Sequence, residues 1–384
     1  MELTACQKNF MDVIKHSSKG DTIFLTGSAG TGKSFILDQA IEWLEKEKKY
    51  TTVKLASTGM AANLISGQTF HSFFAVPPRD ILYKEKANYV RKATRQLWSN
   101  TDVVIIDEIS MIRPDMLDYI SWIFEQNDIY NTEKLYIFVG DLNQCQPITS
   151  VQETRYETPY FYSSELCNNL QTIELKTIVR QKDESFIDAL NLLKQGKVPD
   201  YFDKFRVKEY NEDFTYLSYR NYKVNEINNQ RLDSINSDEI VFSATIQGKA
   251  KPKDFPVSET IKVKEGAKIM YLLNKNGLVN GSIGTFRIGK NGKYFIEVDD
   301  RMIPLHEEPF EKIKYVSTLY GIQEEIVGYI TQYPIKLAWA LTVHKSQGQT
   351  LDNAVIDLQS IKHDKYLLYT AFSRLTSTKN LQIV

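Results

Sequence analysis

The stretch GSAGTGKS occupies residues 27–34 of this chain and fits the phosphate-loop pattern G-x-x-x-x-G-K-[ST]. An apolar run at residues 22–25 precedes it, and a helical-looking stretch at residues 35–44 follows it. In that context the glycines turn backbone N–H groups toward a phosphate, and the helix adds its positive N-terminal end. The alternative is a glycine-rich turn with an unrelated lysine, and it leaves the strand and the helix unexplained.

A nucleotide with magnesium is therefore the first expected ligand. Lys33 is placed to reach the terminal phosphates, and the Ser34 hydroxyl is placed to hold the metal ion. The loop residues expected to line the nucleotide are Gly27, Ala29, Gly30, Thr31, Gly32, Lys33 and Ser34.

The bulk composition narrows the remaining classes of protein. A length of 384 residues allows about two to three domains. Lys and Arg total 47 against 48 Asp and Glu, so nucleic-acid binding would have to come from a local basic and aromatic groove. The 3 cysteines form no C-x-x-C pair, which indicates neither a disulfide framework nor a zinc site. No signal peptide or membrane-length apolar run is recognised, so we expect a cytoplasmic protein without a membrane partner.

The first third of the chain alternates between strand-like and helix-like segments. The expected strands are residues 22–26, 53–56, 102–106 and 135–139, and the expected helices include residues 35–46 and 116–126. This alternation predicts a parallel sheet with helices on both faces, and such sheets bind ligands at the carboxyl ends of their strands. Because Gly27, Asp107 and Gly140 each follow or end an expected strand, we predict that these three motifs belong to one site.

Two segments depart from this pattern. Between residues 67 and 100 the alternation weakens, around Pro77 and a basic stretch at residues 84–95, and we interpret the segment as an excursion from the sheet. From residue 284 to about residue 332, short strands alternate with turn signals, which predicts a small β-rich insertion.

A second region of alternating strand-like and helix-like segments begins after residue 171, so we set the expected domain limits at 1–170 and 171–384.

The acidic pair Asp107-Glu108 ends an apolar strand. With a phosphate loop upstream, Asp107 is placed to hold magnesium directly or through water, and Glu108 is placed to polarise the attacking water. Gln144 follows a further strand and could sense the γ-phosphate by hydrogen bonding. The alternatives are a solvated acidic loop for the pair and an ordinary turn for the glutamine.

Further candidate residues stay open when judged from the residues alone. Arg180 and Arg374 could stabilise the charge that develops when a γ-phosphate is hydrolysed, although a surface position is the commoner one for arginine. The Thr and Lys side chains around His344 suit contacts to a sugar-phosphate backbone better than a core. Phe70 and Phe73 lie beside polar groups and could stack on the bases of a single strand, and a core aromatic cluster explains them equally well.

Taken in order, these segments resemble a superfamily-one DNA helicase, and most of all the Pif-one family in the branch that also holds RecD and the phage helicase Dda. The resemblance covers nearly the whole chain, and the collinear order of its motifs is more specific than any single motif. Beyond the phosphate loop, the matching segments are LTACQ at 3–7, ASTGMAA at 56–62, GQTFHSF at 67–73, DEISM at 107–111, GDLNQ at 140–144, ELKTIVRQ at 174–181, LLKQG at 192–196, NGSIG at 280–284, ALTVHKSQG at 340–348 and YTAFSR at 369–374.

The resemblance implies an α/β fold with two RecA-like parallel-sheet domains and ATP bound in the cleft between them. The excursion would hold the wedge that splits a duplex, and the insertion would form a small Src-homology-three-like barrel. The implied activity is ATP- and magnesium-dependent translocation 5′→3′ on single-stranded DNA, with unwinding of duplex and G-quadruplex DNA. The implied partners are single-stranded DNA and its junctions with duplex DNA, bound by a monomeric catalytic core.

The resemblance also assigns roles to individual residues. Gln7 resembles the family's adenine-reading glutamine, and Gly348 joins the nucleotide-binding set. The implied catalytic set is Lys33, Glu108, Gln144, Arg180 and Arg374, with Ser34 and Asp107 on magnesium. The residues expected to contact DNA are Thr58, Gly59, Phe70, His71, Phe73 and Pro77 in the first domain, and Thr342, His344 and Lys345 in the second.

One departure from the family pattern follows the expected sensor. Cys145-Gln146-Pro147 stands where the family usually has Leu-Pro-Pro.

The choice of DNA rests on the resemblance, because no residue of these motifs is recognised as reading or rejecting a 2′-OH. The alternatives are therefore an ATP-dependent motor on RNA or an RNA–DNA hybrid, and a nucleotide-switch protein that does not translocate.

Overall fold

Six parallel strands form the sheet that carries the phosphate loop. They are β1 (Thr22–Gly27), β2 (Thr52–Ala56), β3 (Gln68–Thr69), β4 (Val103–Asp107), β5 (Leu135–Gly140) and β6 (Leu170–Leu175). Their spatial order is β3-β2-β4-β5-β1-β6, and all neighbours pair in parallel. The structure is a computed structural model that describes residues 3–57, 61–62, 65–77, 81–82, 90–127, 129, 133–144, 146–147, 156–181, 183–278, 280–290, 292–318, 321–347 and 349–384.

Helices cover both faces of this sheet, as the alternation predicts. They are α1 (Ala5–His16), α2 (Lys33–Lys46), α3 (Phe70–Phe73), α4 (Lys92–Asn100) and α5 (Pro114–Gln126), with 3₁₀ helices at Ile109–Met111, Phe161–Ser163 and Glu165–Cys167. In β4, Val103 and Ile105 pack in the core cluster that includes α1 and α2, whereas Val104 and Ile106 pack in the cluster that includes α3, α4 and α5. A strand that buries both faces requires the continuous apolar run found there.

The expected elements of this sheet are confirmed, with small shifts at their ends. Both named helices begin earlier than the apolar pattern predicts, because their first turns hold Lys33, Ser34 and Pro114. Proline fits a first turn well, since its missing N–H has no partner there in any case. Gln68 and Thr69, which we expected to leave the sheet, form its edge strand β3 instead.

The chain divides into two compact units. The first consists of Met1–Leu142, Gln146–Val179 and Glu311–Gly328, and the second of Asn143–Cys145, Arg180–Phe310 and Tyr329–Val384. All six strands of the first sheet belong to the first unit. The expected domain limits stay a prediction.

The remaining strands fall into four further sheets. In chain order they are β7 (Thr215–Ser218), β8 (Glu239–Ser243), β9 (Thr245–Gly248), β10 (Thr260–Lys264), β11 (Lys268–Tyr271), β12 (Ile283–Ile288), β13 (Tyr294–Val298), β14 (Arg301–Pro304), β15 (Glu308–Thr318), β16 (Gly321–Gln332), β17 (Ile335–Leu337), β18 (Ala340–Thr342), β19 (Ala354–Ile356) and β20 (Leu381–Ile383). Four of them form a second parallel sheet in the order β18-β7-β19-β20.

Helices accompany the second parallel sheet as well. They are α6 (Glu184–Lys194), α7 (Asn221–Ser234), α8 (Leu358–Ile361) and α9 (Lys365–Phe372), with 3₁₀ helices at Asp200–Phe205, Pro252–Asp254 and His344–Ser346. Two parallel sheets flanked by helices confirm the predicted α/β class. Across the described ranges, none of the helices combines the length and apolar character that crossing a membrane requires.

Antiparallel strands supply the β-rich part of the second unit. β14-β13-β12-β11-β17 form one sheet and β8 pairs with β10. Their apolar side chains share one core cluster, which includes Phe242, Ile269, Phe286 and Ile335. The β-rich part therefore takes in β11 and β17, which lie outside the expected limits of residues 284 and 332.

A long hairpin, β15–β16, extends from this part of the chain, and its distal residues, Glu311–Gly328, belong to the first unit. There Tyr315 is buried in the aromatic cluster, with its ring 5.9 Å from and nearly perpendicular to that of Phe73. Its hydroxyl oxygen accepts a hydrogen bond from the N–H of Lys54 at 3.1 Å, and its own N–H donates to Oε1 of Gln68 at 3.1 Å. The hairpin thus completes the core beside the edge strand β3 and its neighbour β2.

We expect Tyr315→Ala to destabilise the first unit by about 3 kcal/mol, because it leaves a cavity in an aromatic core. Tyr315→Phe should cost only about 1 kcal/mol, since it removes the acceptor of the Lys54 N–H and keeps the ring. Urea unfolding followed by tryptophan fluorescence measures both, because Trp98 lies in the same cluster.

Tyr329→Phe is the matched control on the same hairpin. Its hydroxyl donates to Oε1 of Gln247 at 2.6 Å in an exposed position, so the loss should stay below about 0.5 kcal/mol. Equal losses for Tyr315→Ala and Tyr329→Phe would contradict a structural role of Tyr315 in this core.

Candidate nucleotide site and nucleic-acid interface

The phosphate loop joins β1 to α2 with backbone conformations that favour glycine. Gly27 has φ +153° and Gly32 has φ +83°, which side chains rarely adopt. A Cβ at Gly27 would lie 2.7 Å from the carbonyl oxygen of Leu175, and one at Gly32 would lie 2.9 Å from Nε2 of Gln7. The loop is therefore an open cradle that added side chains would distort, which suits close approach of a phosphate.

Lys33 opens helix α2 and reaches back over this loop. Its Nζ donates hydrogen bonds to the carbonyl oxygens of Gly27 at 2.9 Å and Ser28 at 3.3 Å. No side chain caps the helix N-terminus, and its first turn holds no acidic residue. The first-turn N–H groups and the ammonium group are therefore donors placed for an anion, and phosphate oxygens are stronger acceptors for them than carbonyls.

Gln7, the expected adenine contact, is buried beside the loop. Its Oε1 accepts a hydrogen bond from the N–H of Thr4 at 3.0 Å, and Thr4 Oγ1 accepts one from the N–H of Gln7 at 3.3 Å, a capping box that starts α1. Its Nε2 lies 3.5 Å from the carbonyl oxygen of Thr31. Gln7 is thus tied to the loop, and its reading of adenine stays a prediction.

Asp107 and Glu108 end β4 in a strained turn. Glu108 has φ +51°. This left-handed conformation costs a non-glycine residue roughly 1–2 kcal/mol. Its N–H donates to Oδ1 of Asp107 at 2.8 Å. Burial raises the pKa of Asp107, while the N–H of Glu108 and the ammonium group of Lys33 lower it. This hydrogen bond keeps Glu108 at the edge of the sheet beside the Asp107 carboxylate, which feels the charge of Lys33.

These residues fit a magnesium ion that arrives with a nucleotide. Magnesium keeps several waters and usually takes one or two protein oxygens beside phosphate oxygens. The Ser34 hydroxyl in the exposed first turn of α2 and the Asp107 carboxylate are oxygen ligands of that kind. Within the described ranges, no group of three or more His, Cys, Asp and Glu side chains could hold a metal ion by itself.

The end of β5 packs against the turn that follows Glu108. A Cβ at Gly140 would lie 3.1 Å from Cγ2 of Ile109, so glycine permits this close approach. Asp141 is buried next to it, and Gln144 is buried and grouped with the second unit. The three motifs of the first sheet thus end at the same edge, while the sensor role of Gln144 stays a prediction.

In the second unit, Arg180 and Arg374 form a pair of like charges. Arg374 is buried and donates from Nε to the carbonyl oxygen of Thr370 at 3.0 Å and from Nη2 to Oγ of Ser373 at 3.1 Å. Burial and the charge of Arg374 lower the pKa of Arg180 to about 10. Both guanidinium groups remain charged at neutral pH, so their repulsion would be relieved by an anion bound to them.

Gln181 fixes the local backbone of this pair, a role that the sequence did not indicate. It is buried, and its Nε2 donates to the carbonyl oxygens of Leu375 at 2.8 Å and Ser373 at 3.4 Å. Arg180 Nη1 lies 3.5 Å from the same Ser373 oxygen. The chain segment of Arg180 is therefore hydrogen-bonded to the residues on both sides of Arg374.

The turn after β18 presents two of the three residues expected to contact DNA from the second unit. His344 and Lys345 are exposed, whereas Thr342 is buried and its Oγ1 accepts a hydrogen bond from the N–H of Lys345 at 3.3 Å. Thr342 therefore positions the turn, and the imidazole and ammonium groups form its surface. Exposed nitrogen donors of this kind suit a sugar-phosphate backbone.

Tyr219, which no motif of the sequence singled out, lies at the same edge. It follows β7, whose last residue, Ser218, pairs with Thr342 in the parallel sheet. The Tyr219 ring is 50% exposed, and its centroid lies 5.8 Å from that of His344. The four residues of β7, Thr215–Ser218, form no continuous apolar run, so the sequence did not predict the strand end that positions Tyr219.

The first unit places its expected DNA contacts differently. Phe70 and Phe73 are buried in the aromatic core cluster, which agrees with the core alternative for both rings. His71 and Pro77 are half-buried, and Nδ1 of His71 lies 3.0 Å from the carbonyl oxygen of Val76. Thr58, Gly59 and Gly348 lie outside the described residues.

Comparison with known proteins adds independent findings. The family model described as "PIF1-like helicase" matches residues 2–203. The chain is 30% identical over 406 residues to "ATP-dependent DNA helicase Pif1" of Bdellovibrio bacteriovorus, covering 100% of this chain and 88% of that protein. It is also similar to the crystal structure of Bacteroides sp Pif1 in complex with ADP-AlF4, with a TM-score of 0.87 and 27% identity over 100% of this chain and 92% of that one. Bacteroides Pif1 bound to ssDNA gives a TM-score of 0.65 at the same identity and coverage.

Proposed function

Since the chain belongs to the PIF1-like helicase family and is an enzyme of that class, we propose that it is an ATP-dependent motor that moves 5′→3′ along single-stranded DNA and unwinds duplex DNA. The observation that carries the proposal is the similarity over the whole of this chain, and over 88% of the other, to a relative named as an ATP-dependent DNA helicase. Unwinding of G-quadruplex DNA and action as a monomer are part of the proposal.

The first unit supplies the groups for ATP hydrolysis in this proposal. Lys33 and the N–H groups at the start of α2 bind the phosphates, and Ser34 and Asp107 hold magnesium. Glu108, kept at the end of β4 by its left-handed backbone, accepts a proton from the attacking water. Magnesium, when bound, neutralises part of the phosphate charge.

The second unit supplies the arginines. Arg180 and Arg374 repel each other, so binding an anionic γ-phosphate lowers the energy of the pair. Charge that develops on the transferred phosphoryl group strengthens this attraction, which is how arginines accelerate such reactions. Before hydrolysis, the arginine pair therefore stabilises the state of the enzyme in which it contacts the γ-phosphate. That stabilisation is lost after the phosphate has left.

Contacts to the DNA strand come from the edge of the second sheet. His344 and Lys345 present nitrogen donors to the backbone, and Tyr219 offers an exposed ring against which a base can stack. Both kinds of contact accept any base, as a motor that moves along arbitrary sequences requires. An RNA motor is the second candidate, because none of these groups distinguishes a 2′-OH.

The test is unwinding of partial duplexes that carry either a 5′ or a 3′ single-stranded tail, with ATP and magnesium. We expect strand separation with the 5′ tail and little with the 3′ tail. The reverse preference would contradict the proposed direction. ATP hydrolysis stimulated by RNA but not by DNA would replace DNA with RNA as the track, and the absence of stimulation by either would favour a nucleotide switch.

We expect Lys33→Ala to lower DNA-stimulated ATP hydrolysis by about 100-fold, because a charged donor to the phosphates is lost. The fold should persist, as circular dichroism and thermal unfolding will show. Lys46→Ala, at the exposed last turn of the same helix, is the matched control and should leave hydrolysis unchanged. Normal hydrolysis by Lys33→Ala would contradict the site assignment.

Tyr219→Ala should weaken binding of a fluorescent oligo(dT) by about 1 kcal/mol or more, which is roughly fivefold or more in Kd, because a stacking surface is removed. Tyr219→Phe should bind as the parent does.

His344→Ala should lower DNA stimulation of hydrolysis more than basal hydrolysis. Tyr222→Ala, an exposed ring packed with Arg220, is the control and should change neither quantity. Unchanged binding by Tyr219→Ala would remove the stacking assignment.

A further inference from the structure

The chain segment that leaves β6 runs beside the phosphate loop. Leu175, the last residue of β6, pairs in parallel with Gly27, and a Cβ on Gly27 would lie 2.7 Å from the carbonyl oxygen of Leu175. Four residues later, the N–H of Val179 donates a hydrogen bond of 2.9 Å to the carbonyl oxygen of Gly30. All four residues belong to the first unit. Residues 175–179 are therefore fixed to the loop at two points.

The second of these contacts fixes a peptide plane of the loop. The carbonyl of Gly30 and the N–H of Thr31 belong to one planar trans peptide, so they point in opposite directions. Because the carbonyl is directed to Val179, the Thr31 N–H is turned the other way, and its only printed acceptor is the carbonyl oxygen of Ser28 at 3.4 Å. A phosphate oxygen is a stronger acceptor than this long contact. An anion bound there would polarise the peptide and strengthen the hydrogen bond from Val179.

The residue held in this way directly precedes Arg180. Val179 is the last residue of its segment in the first unit, and Arg180 begins the next segment, in the second unit. Consecutive Cα atoms lie about 3.8 Å apart across a trans peptide. The backbone of Arg180 therefore stays next to an amide that the phosphate loop holds, in any arrangement of the two units.

Arg180 is anchored on its other side as well. Nε2 of Gln181 donates to the carbonyl oxygens of Leu375 and Ser373, which flank Arg374. Arg180 thus lies between a residue bonded to the phosphate loop and a residue bonded to the backbone around the other arginine. Two anchors on consecutive sides of one residue restrict where its guanidinium group can go.

The link from Val179 depends on its main chain. The Val179 side chain is 51% exposed, so the N–H is the group that makes the contact. Ile178 provides a matched position, because its N–H has no hydrogen-bond partner in the part of the chain that the structure describes.

We propose that the Val179 N–H positions Arg180 for the γ-phosphate by tying its backbone to the phosphate loop. The inference rests on the proposed function, in which Arg180 stabilises the charge that develops during hydrolysis. It adds to that function a positioning residue that acts through its main chain. Because the attraction of Arg180 to the phosphate is strongest in the transition state, loss of the Val179 contact should lower kcat and leave KM for ATP nearly unchanged.

The experiment replaces Val179 of the full chain by its α-hydroxy acid, which turns the amide into an ester and removes the N–H alone. Hydrolysis is measured with ATP, magnesium and oligo(dT). We expect kcat to fall roughly fivefold and KM to change by less than about twofold. The same replacement at Ile178 is the matched control and should change neither constant. Val179→Ala keeps the N–H and should also keep both. Parent-like kcat in the Val179 ester would overturn the inference and leave the proposed function intact.

The Arg180→Ala background separates positioning from a direct effect on the loop. There the Val179 ester should cause no further loss of kcat, since the contact acts through the arginine. An equal loss in both backgrounds would mean that the contact supports the loop itself, and would overturn the inference alone. Parent-like hydrolysis by Arg180→Ala would contradict the role of this arginine in the proposed function and the inference with it.

Hydrogen exchange tests the contact in the unmodified main chain. In protein labelled with ¹⁵N-valine and ¹⁵N-isoleucine, the Val179 amide should exchange roughly tenfold or more slowly than the Ile178 amide. Val179→Ala identifies the Val179 signal. ADP with aluminium fluoride and magnesium should slow this exchange further, because an anion in the loop strengthens the contact. Equal exchange of the two amides, or faster exchange of Val179 with the nucleotide, would overturn the inference.

Discussion

Parallel pairing of strands is the constraint on which the arrangement of the sites depends. In a parallel sheet every strand ends at the same edge. Strand pairing alone therefore makes residues distant in sequence into neighbours. In the first unit, the pairing of Thr26 with Gly140 brings the phosphate loop beside the end of β5. In the second unit, the pairing of Ser218 with Thr342 brings Tyr219 beside His344. Each unit therefore assembles its polar groups at one sheet edge, with an apolar core behind it.

The sequence was most informative where a residue's chemistry and its place in a pattern agree. Val103–Ile106 form most of a strand because they are continuously apolar, and the acids Asp107 and Glu108 follow where the strand reaches the polar edge of the sheet. The glycines likewise allowed the conformation of the phosphate loop to be predicted, because other residues rarely adopt φ values such as the +83° of Gly32. For such motifs the local sequence already contains the physical reason for the structure.

Other features depend on packing that no local pattern records. Phe70 and Phe73 have the same polar neighbours in sequence whether they face a core or a base, and only the surrounding cluster, with Trp98 and Phe124, decides between the two. Strand β3 has two residues, too few for a periodic signal.

The hairpin β15–β16 has a consequence for how the chain is made. Tyr315 completes a core whose other members precede it by more than a hundred residues, and its partners Lys54 and Gln68 are 261 and 247 residues away in sequence. At ribosomal rates of about 5–20 residues per second, the first unit waits roughly 7–30 seconds for this segment to be completed after residue 179 is made. During that interval the nascent N-terminal part exposes apolar surface around Phe73, where chaperones or aggregation can compete. The order of synthesis and the order of assembly therefore differ in this chain, because one piece of the earlier unit is encoded inside the later one.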